Sequence, residues 1–101
     1  MAGLPEDKLI LIEALFKKNK VKSAYTFGSI ATPHFNAASD IDFMIAFLDD
    51  TDPIERGENW FSLYYSLKEI LNRDVDLVRE EDIKNPYLLQ TINASKTKIY
   101  G

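Results

Sequence analysis

The stretch Ser39-Asp40-Ile41-Asp42-Phe43 decides both the fold and the chemistry of this chain. Apolar residues follow the two acids as far as Leu48, so the pattern predicts a strand over 41–48. Residues two apart on a strand share a face, with about 6.5–7 Å between their Cα atoms. We therefore expect both carboxylates to point the same way, although an Asp-x-Asp pair alone is a weak signal.

A glycine turn precedes this stretch. Residues 21–27 are β-prone and stop at Gly28-Ser29, eleven residues before Asp40. Glycine permits close backbone approach, and serine adds a hydroxyl beside exposed amides. The turn can therefore bind a phosphate without a basic side chain, although by itself it is more often an ordinary strand end.

A third acid, Asp76, is flanked by Val75 and Leu77 in the predicted strand 74–78, where aspartate is disfavoured. If strands 41–48 and 74–78 are neighbours, three carboxylates converge and repel one another unless a cation is present. Magnesium binds through one or two carboxylates and takes further ligands from substrate phosphates. Two such ions can clamp the attacking and leaving oxygens of a phosphoryl displacement. The alternative is a solvated acidic face.

The remaining pattern predicts helices over 5–19, 53–71 and 86–95 and a last strand over 96–100, with Asp52 and Asn85 as helix caps. The order helix, strand, strand, helix, strand, helix, strand indicates an α/β (α+β) unit, a small mixed sheet packed with helices. Helical spacing makes the following apolar residues candidates for the core: Leu9, Ile10, Leu11, Ile12, Leu15, Phe16, Trp60, Phe61, Tyr64, Leu67 and Leu71.

The composition narrows the function. A chain of 101 residues, 46% of them hydrophobic, fits one domain over 1–101. No cysteine and a single histidine, His34, exclude disulfides and thiolate zinc sites. The net charge of −4 disfavours direct nucleic-acid binding. The sequence has no membrane-length apolar run and no signal-peptide pattern, so we expect a soluble cytoplasmic protein without a membrane partner.

Together these motifs resemble one family. Phe27-Gly28-Ser29, the segment closing on Asp40-Ile41-Asp42, and Asp76 in its apolar strand are similar to the minimal nucleotidyltransferase signature, in the small branch of the polymerase-β-type superfamily. The resemblance extends to Asn85-Pro86-Tyr87 and the Ile99-Tyr100 tail, so it covers most of the chain. The combined motif is specific, whereas each part is not.

The resemblance implies a role for each residue. Gly28, Ser29 and Ser39 would bind the nucleotide, and Asp40, Asp42 and Asp76 would hold two magnesium ions, with manganese as the alternative. Asp76 would also activate the attacking hydroxyl. The implied reaction transfers a nucleoside monophosphate, AMP from ATP or the equivalent from another NTP, to a hydroxyl and releases pyrophosphate.

The resemblance also implies a partner, because family members are commonly antitoxins of small helical HEPN-type toxins. The short chain leaves no room for a substrate-binding domain, so we expect a protein partner to supply the acceptor. The alternative is a catalytically degenerate antitoxin that only binds its partner. Homo-oligomers and hetero-oligomers stay open.

One departure from the family affects nucleotide binding. Many members follow Gly-Ser with Arg-Ala-Arg-Gly, whereas this chain has Ile30-Ala31-Thr32-Pro33. Two positive charges that would face the triphosphate are therefore absent. His34 and Lys22 are the candidates for partial compensation, and arginine at positions 30 and 32 is expected to raise nucleotide affinity.

Overall fold

The computed structural model describes residues 4–36 and 38–101, except for the side chains of Ser29 and Ala31. One mixed sheet has the strand order β3-β2-β1-β4. Strand β1 runs antiparallel to β2 and β4, and β2 runs parallel to β3. This confirms the predicted sheet, whose strands are β1 (Val21–Phe27), β2 (Ile41–Phe47), β3 (Val75–Arg79) and β4 (Thr97–Tyr100).

Three α-helices accompany the sheet: α1 (Leu9–Lys18), α2 (Pro53–Leu71) and α3 (Pro86–Ser95). The helix predicted over 5–19 is shorter than expected, because its first turn, Glu6–Lys8, is a 3-10 turn. In that turn the Lys8 amide donates to the Pro5 carbonyl at 3.1 Å. Helices α2 and α3 begin at the predicted residues, Pro53 and Pro86, because each has a capping side chain.

The two predicted caps are present. Asp52 Oδ1 accepts the Glu55 amide at 2.9 Å, and Asn85 Oδ1 accepts the Tyr87 amide at 2.9 Å. The Glu55 carboxylate, in the first turn of α2, lies 2.5 Å from Lys20 Nζ and forms an ion pair with it. The start of α2 is thereby tied to the segment that follows α1.

The main core lies between one face of the sheet and helices α1 and α2. Alternate residues of β2 point into it and meet the following buried side chains of the helices: Ile12, Phe16, Leu63, Leu67 and Leu71. Met44 and Ile92 are also buried but stand outside this cluster. Since strand side chains alternate, Met44 lies on the opposite face, which indicates that α3 covers that face.

Some core predictions were wrong at the edges of the helical stripes. Phe61 is 57% exposed, and Ile10 and Leu11 also face solvent. Leu63, which was not among the candidates, is fully buried. A helix 19 residues long buries only a narrow face against a small sheet, so residues beside the central stripe stay outside. Among the helices in the described ranges, none is long and apolar enough to cross a membrane.

Candidate functional site

Gly28, Asp42 and Asp76 form a row across the sheet, where β1 ends and where β2 and β3 begin. Gly28 directly follows β1, whose last residue, Phe27, pairs with Asp42 of β2. Asp42 in turn pairs with Asp76 of β3. Neighbouring strands lie about 4.8 Å apart, so the row is compact. These positions are distant in sequence, and the antiparallel pairing of β1 with β2 and the parallel pairing of β2 with β3 bring them together.

Gly28 and Asp42 are in direct contact. Gly28 has φ +73, a left-handed conformation that glycine adopts without strain. A Cβ atom built on Gly28 would overlap Asp42 Oδ2. Two independent constraints therefore require glycine here, and the Asp42 carboxylate lies over the Gly28 turn.

The other two predicted metal ligands flank this contact. Asp40 lies just before β2 and Asp76 lies within β3, and both are exposed, whereas Asp42 is half-buried. Asp42 and Asp76 share the α3 face because they occupy matching positions of parallel strands. The Asp42 carboxylate also lies beside the backbone of Gly28, at the end of β1.

Within residues 4–36 and 38–101, no three His, Cys, Asp or Glu side chains are arranged as a group that could hold a metal ion. The expected three-carboxylate cluster is therefore not assembled in this arrangement. Magnesium nevertheless needs only one or two protein carboxylates when substrate phosphates and waters complete its shell. The donor set of Asp40, Asp42 and Asp76 has the oxygen chemistry that this cation prefers.

Ser29 and Ser39 are the two serines predicted to bind the nucleotide. The side chain of Ser29 lies outside the described part of the structure. Ser39 Oγ accepts the Asn36 amide at 3.2 Å, which closes the loop that leads into Asp40. Ser39 therefore shapes this loop, and nucleotide contact by either serine stays a prediction.

Arg73 is a residue of the site region that the sequence analysis missed. Its Nη1 donates to the carbonyl oxygens of Asn36 and Ser39 at 3.3 and 3.1 Å, and its guanidinium lies 4.9 Å from the Phe35 ring centroid. Arg73 therefore fastens the loop before Asp40 to the start of β3. A single arginine between a helix and a strand has no sequence signal for such a contact, which spans more than thirty residues.

Arginine at position 30, Lys22 and His34 were the expected sources of positive charge for the triphosphate. Ile30 is 7% exposed and belongs to the main core, so an arginine there would bury a charge instead of facing a triphosphate. Lys22 lies at the far end of β1, about 20 Å from Gly28, and pairs with Asp49 at 3.5 Å. Lys22 therefore cannot compensate. His34 is an exposed loop residue whose backbone carbonyl accepts from Asn36 Nδ2.

Two clefts border the sheet, and one of them lies beside Gly28. One, of about 610 Å³, runs from Gly28 to the exposed side of α3. The other, of about 620 Å³, lies between α2 and edge strand β3, where Trp60 Nε1 donates to the Leu77 carbonyl at 3.0 Å. Only the first cleft includes a residue of the Gly28, Asp42 and Asp76 row.

Residues 11–101 match the family described as polymerase beta, nucleotidyltransferase. The chain belongs to this family and is a nucleotidyltransferase, as its motifs indicated. Two candidate protein adenylyltransferases of Methanocaldococcus jannaschii are similar to it. One is 38% identical over 78 residues, covering 77% of this chain and 76% of that relative. The other is 37% identical over 95 residues, covering 91% and 93%.

Solved structures place the fold in the same context. A toxin–antitoxin structure with AMP-PNP has a TM-score of 0.72 and 29% identity, covering 97% of this chain and 74% of that chain. A complex of the tri-AMPylated HEPN toxin of Shewanella oneidensis with its MNT antitoxin has a TM-score of 0.57 and 27% identity, covering 92% and 72%. The resemblance to minimal nucleotidyltransferases is confirmed.

Proposed function

We propose that this chain is an antitoxin that transfers AMP from ATP to a hydroxyl group, in particular a tyrosine hydroxyl, of a HEPN-type toxin. The observation that carries this proposal is the row of Gly28, Asp42 and Asp76 across three strand ends. Similarity to an MNT antitoxin in complex with an AMPylated HEPN toxin supports the choice of partner and of transferred group.

The Gly28 turn is the proposed phosphate-binding element. Because it has no Cβ and a positive φ, its backbone can approach a ligand closely. Backbone amides of such a turn can donate to phosphate oxygens without a cationic side chain. The proposal assigns Ser29 and Ser39 to the same role, with their hydroxyls as donors to the triphosphate.

Asp40, Asp42 and Asp76 are the proposed magnesium ligands, with manganese as the alternative cation. When bound, the two ions would neutralise the triphosphate and orient the attacking and leaving oxygens. Arg73 contributes as a positioning residue, because it holds the loop before Asp40 by two hydrogen bonds. Asp42 and Asp76 lie on strands, and Asp40 lies at the end of the loop that Arg73 holds.

The chemistry is an in-line displacement at the α-phosphorus. The acceptor oxygen forms a bond to that phosphorus, and the bond from the phosphorus to the bridging oxygen of the β-phosphate breaks, so pyrophosphate leaves. Asp76 is the proposed acceptor of the proton from the acceptor hydroxyl, and its exposure on the same face as Asp42 supports this role. A carboxylate that is open to solvent can then release this proton.

One observation favours a second candidate, in which the chain neutralises its partner by binding alone. Ile30 is a core residue at a position where the family motif described above has arginine in many members, and Thr32, at the motif's second arginine position, is uncharged. Weak triphosphate binding would then leave the carboxylates without a substrate. The two candidates differ in whether the partner becomes covalently modified.

Incubation of the protein and a HEPN-type toxin with magnesium and labelled ATP distinguishes them. We expect label at the α-phosphate to appear on the toxin and label at the γ-phosphate to appear in pyrophosphate. The antitoxin itself should stay unlabelled. Transfer of γ-label would indicate phosphorylation instead, and absence of both labels on a toxin that is still neutralised would favour the binding-only candidate.

A further inference from the structure

The cleft of about 610 Å³ beside Gly28 has a second wall, which the transfer chemistry does not use. This wall is the exposed side of α3, where Tyr87, Gln90 and Thr91 line the cleft. Its volume falls within the range of about 300–1,000 Å³ that small-molecule sites occupy. Because the cleft starts at the proposed phosphate-binding turn, a nucleotide held there by its phosphates would extend its nucleoside along α3.

Tyr87 is a large aromatic side chain held in an exposed position. It is 78% exposed, although it lies in the first turn of a capped helix. Its amide donates to Asn85 Oδ1 at 2.9 Å, and its carbonyl accepts from Thr91 Oγ1 at 2.9 Å, so the backbone that carries the ring is fixed. A solvent-facing ring on a fixed backbone at the wall of a cleft is suited to stack on a nucleobase.

Gln90 supplies the polar group beside this ring. It follows Tyr87 by three positions on α3, so the two side chains lie on the same side of the helix, and both line the cleft. A glutamine amide offers one acceptor and one donor pair, which match the N6 donor and N7 acceptor of adenine. Guanine presents two acceptors, O6 and N7, at the corresponding edge, so it pairs less well with this amide.

We propose that the α3 wall is the base-recognition surface of the nucleotide site, with Tyr87 stacking on the base and Gln90 selecting adenine over guanine. This inference rests on the proposed nucleotidyl transfer and adds its substrate specificity. It also assigns a use to the Asn85-Pro86-Tyr87 segment, in which Asn85 and Pro86 start the helix and Tyr87 meets the ligand.

Nucleotide binding by the free protein tests the proposal without the partner. Isothermal titration with ATP and with GTP in magnesium is carried out for the wild type and the variants Tyr87→Ala, Tyr87→Phe and Gln90→Ala. We expect the wild type to bind ATP about 10-fold more tightly than GTP. Tyr87→Ala should weaken both nucleotides about 10-fold, whereas Tyr87→Phe keeps the ring and should bind like the wild type.

Gln90→Ala should weaken ATP more than GTP and bring their affinities close to each other. Tyr65→Ala is the matched control, because Tyr65 is 63% exposed on α2 and does not line the cleft. Wild-type affinity in Tyr87→Ala, an unchanged ATP preference in Gln90→Ala, or no binding of either nucleotide by the wild type would overturn the proposal. Transfer of α-label to the toxin is scored separately, so the proposed function can hold when this inference fails.

Discussion

The two ends of the sheet use acidic residues in different ways. At the end where β1 starts and β2 and β3 finish, salt bridges join acids to bases, for example Lys22 to Asp49 at 3.5 Å and Arg79 Nε to Asp82 at 2.8 Å. The row of Gly28, Asp42 and Asp76 lies at the opposite end of the sheet, the site end. Among the described residues, no salt bridge there includes Asp76. Lys68 Nζ does lie 3.9 Å from Asp74 at this end, but Asp42 and Asp76 are the residues proposed to take part in the chemistry.

This difference explains why the acid count alone is uninformative. Seven acids fall between positions 40 and 58, and they divide between the two ends of β2. Asp52 caps α2 and Glu55 pairs with Lys20, so these acids are accounted for by the fold. Asp42 and Asp76 share one position in the register of two parallel strands, which no helix cap or loop closure requires.

The largest effect on stability and on AMP transfer is expected from the added methyl group of Gly28→Ala. Gly28→Ala places a Cβ atom on Asp42 Oδ2 and forces alanine into a left-handed conformation. We expect a loss of about 1–3 kcal/mol in the free energy of unfolding. AMP transfer should fall at least about 100-fold, because misplacement of a reacting group by about 1 Å has effects of that size. Thermal unfolding and label transfer measure the two effects.

Gly57→Ala is the control for this substitution. Gly57 lies in α2 next to the ion-paired residue Arg56, and nothing lies within 4 Å of a Cβ atom built there. Alanine is the better helix former by about 0.5–1 kcal/mol, so this variant should be more stable and fully active. Equal losses in both variants would contradict the special role of the Gly28 turn.

Removal of one acid from each end should change stability in opposite directions. Without metal, Asp76→Asn should raise the free energy of unfolding by about 0.5 kcal/mol, because it removes one of two like charges on neighbouring strands. Asp82→Asn should lower it, because it breaks the paired hydrogen bonds from Arg79. Chemical denaturation measures both, and a fall in Asp76→Asn would contradict this account of the site end.

Magnesium should affect the melting temperatures of the Asp76 and Asp82 variants differently. It should raise the melting temperature of the wild type and of Asp82→Asn, and it should raise that of Asp76→Asn less, because binding to the folded form stabilises it by mass action. Identical shifts in all three proteins would show that Asp76 does not take part in metal binding.

The smallest effect is a pH dependence at the ion-paired end. The hydrogen bonds from Arg79 lower the pKa of Asp82 below its ordinary value of 3.8. The stability from this pair is therefore fully present above the unfolded pKa and is lost as pH falls through the lower folded pKa. Asp82→Asn should reduce stability at pH 7 by up to about 0.5 kcal/mol, since the pair is exposed, and should have a smaller effect near pH 2. An equal difference at both pH values would contradict this assignment.

The sequence predicted the fold well because its signals were local. Asp52 and Asn85 marked helix starts, and alternating or largely apolar segments marked β1, β2 and β3. Errors occurred where a side chain's environment depends on distant elements. Phe61 shares the helical stripe of core residues but projects beyond the sheet, and Ile30 occupies the core although its motif position suggested a charged role.

The candidate site was predictable as a set of residues but not as a geometry. Gly28, Asp42 and Asp76 carry the motif, and their strands meet as the pattern implied. The orientation of the Asp42 carboxylate over Gly28 and the contact of Arg73 with the Ser39 carbonyl depend on the folded chain. Neither the spacing of residues nor the composition of the sequence indicates these two features.

The most direct test of the central claim, AMP transfer at the site end, combines growth rescue with the intact mass of the recovered toxin. Wild type and Asp49→Asn should restore growth and leave the toxin heavier by one or more AMP groups. Asp42→Asn should bind the toxin, because one carboxylate is a small part of an interface, yet leave its mass unchanged and fail to restore growth. Restored growth with an unmodified toxin, in the wild type and in Asp42→Asn alike, would contradict the account.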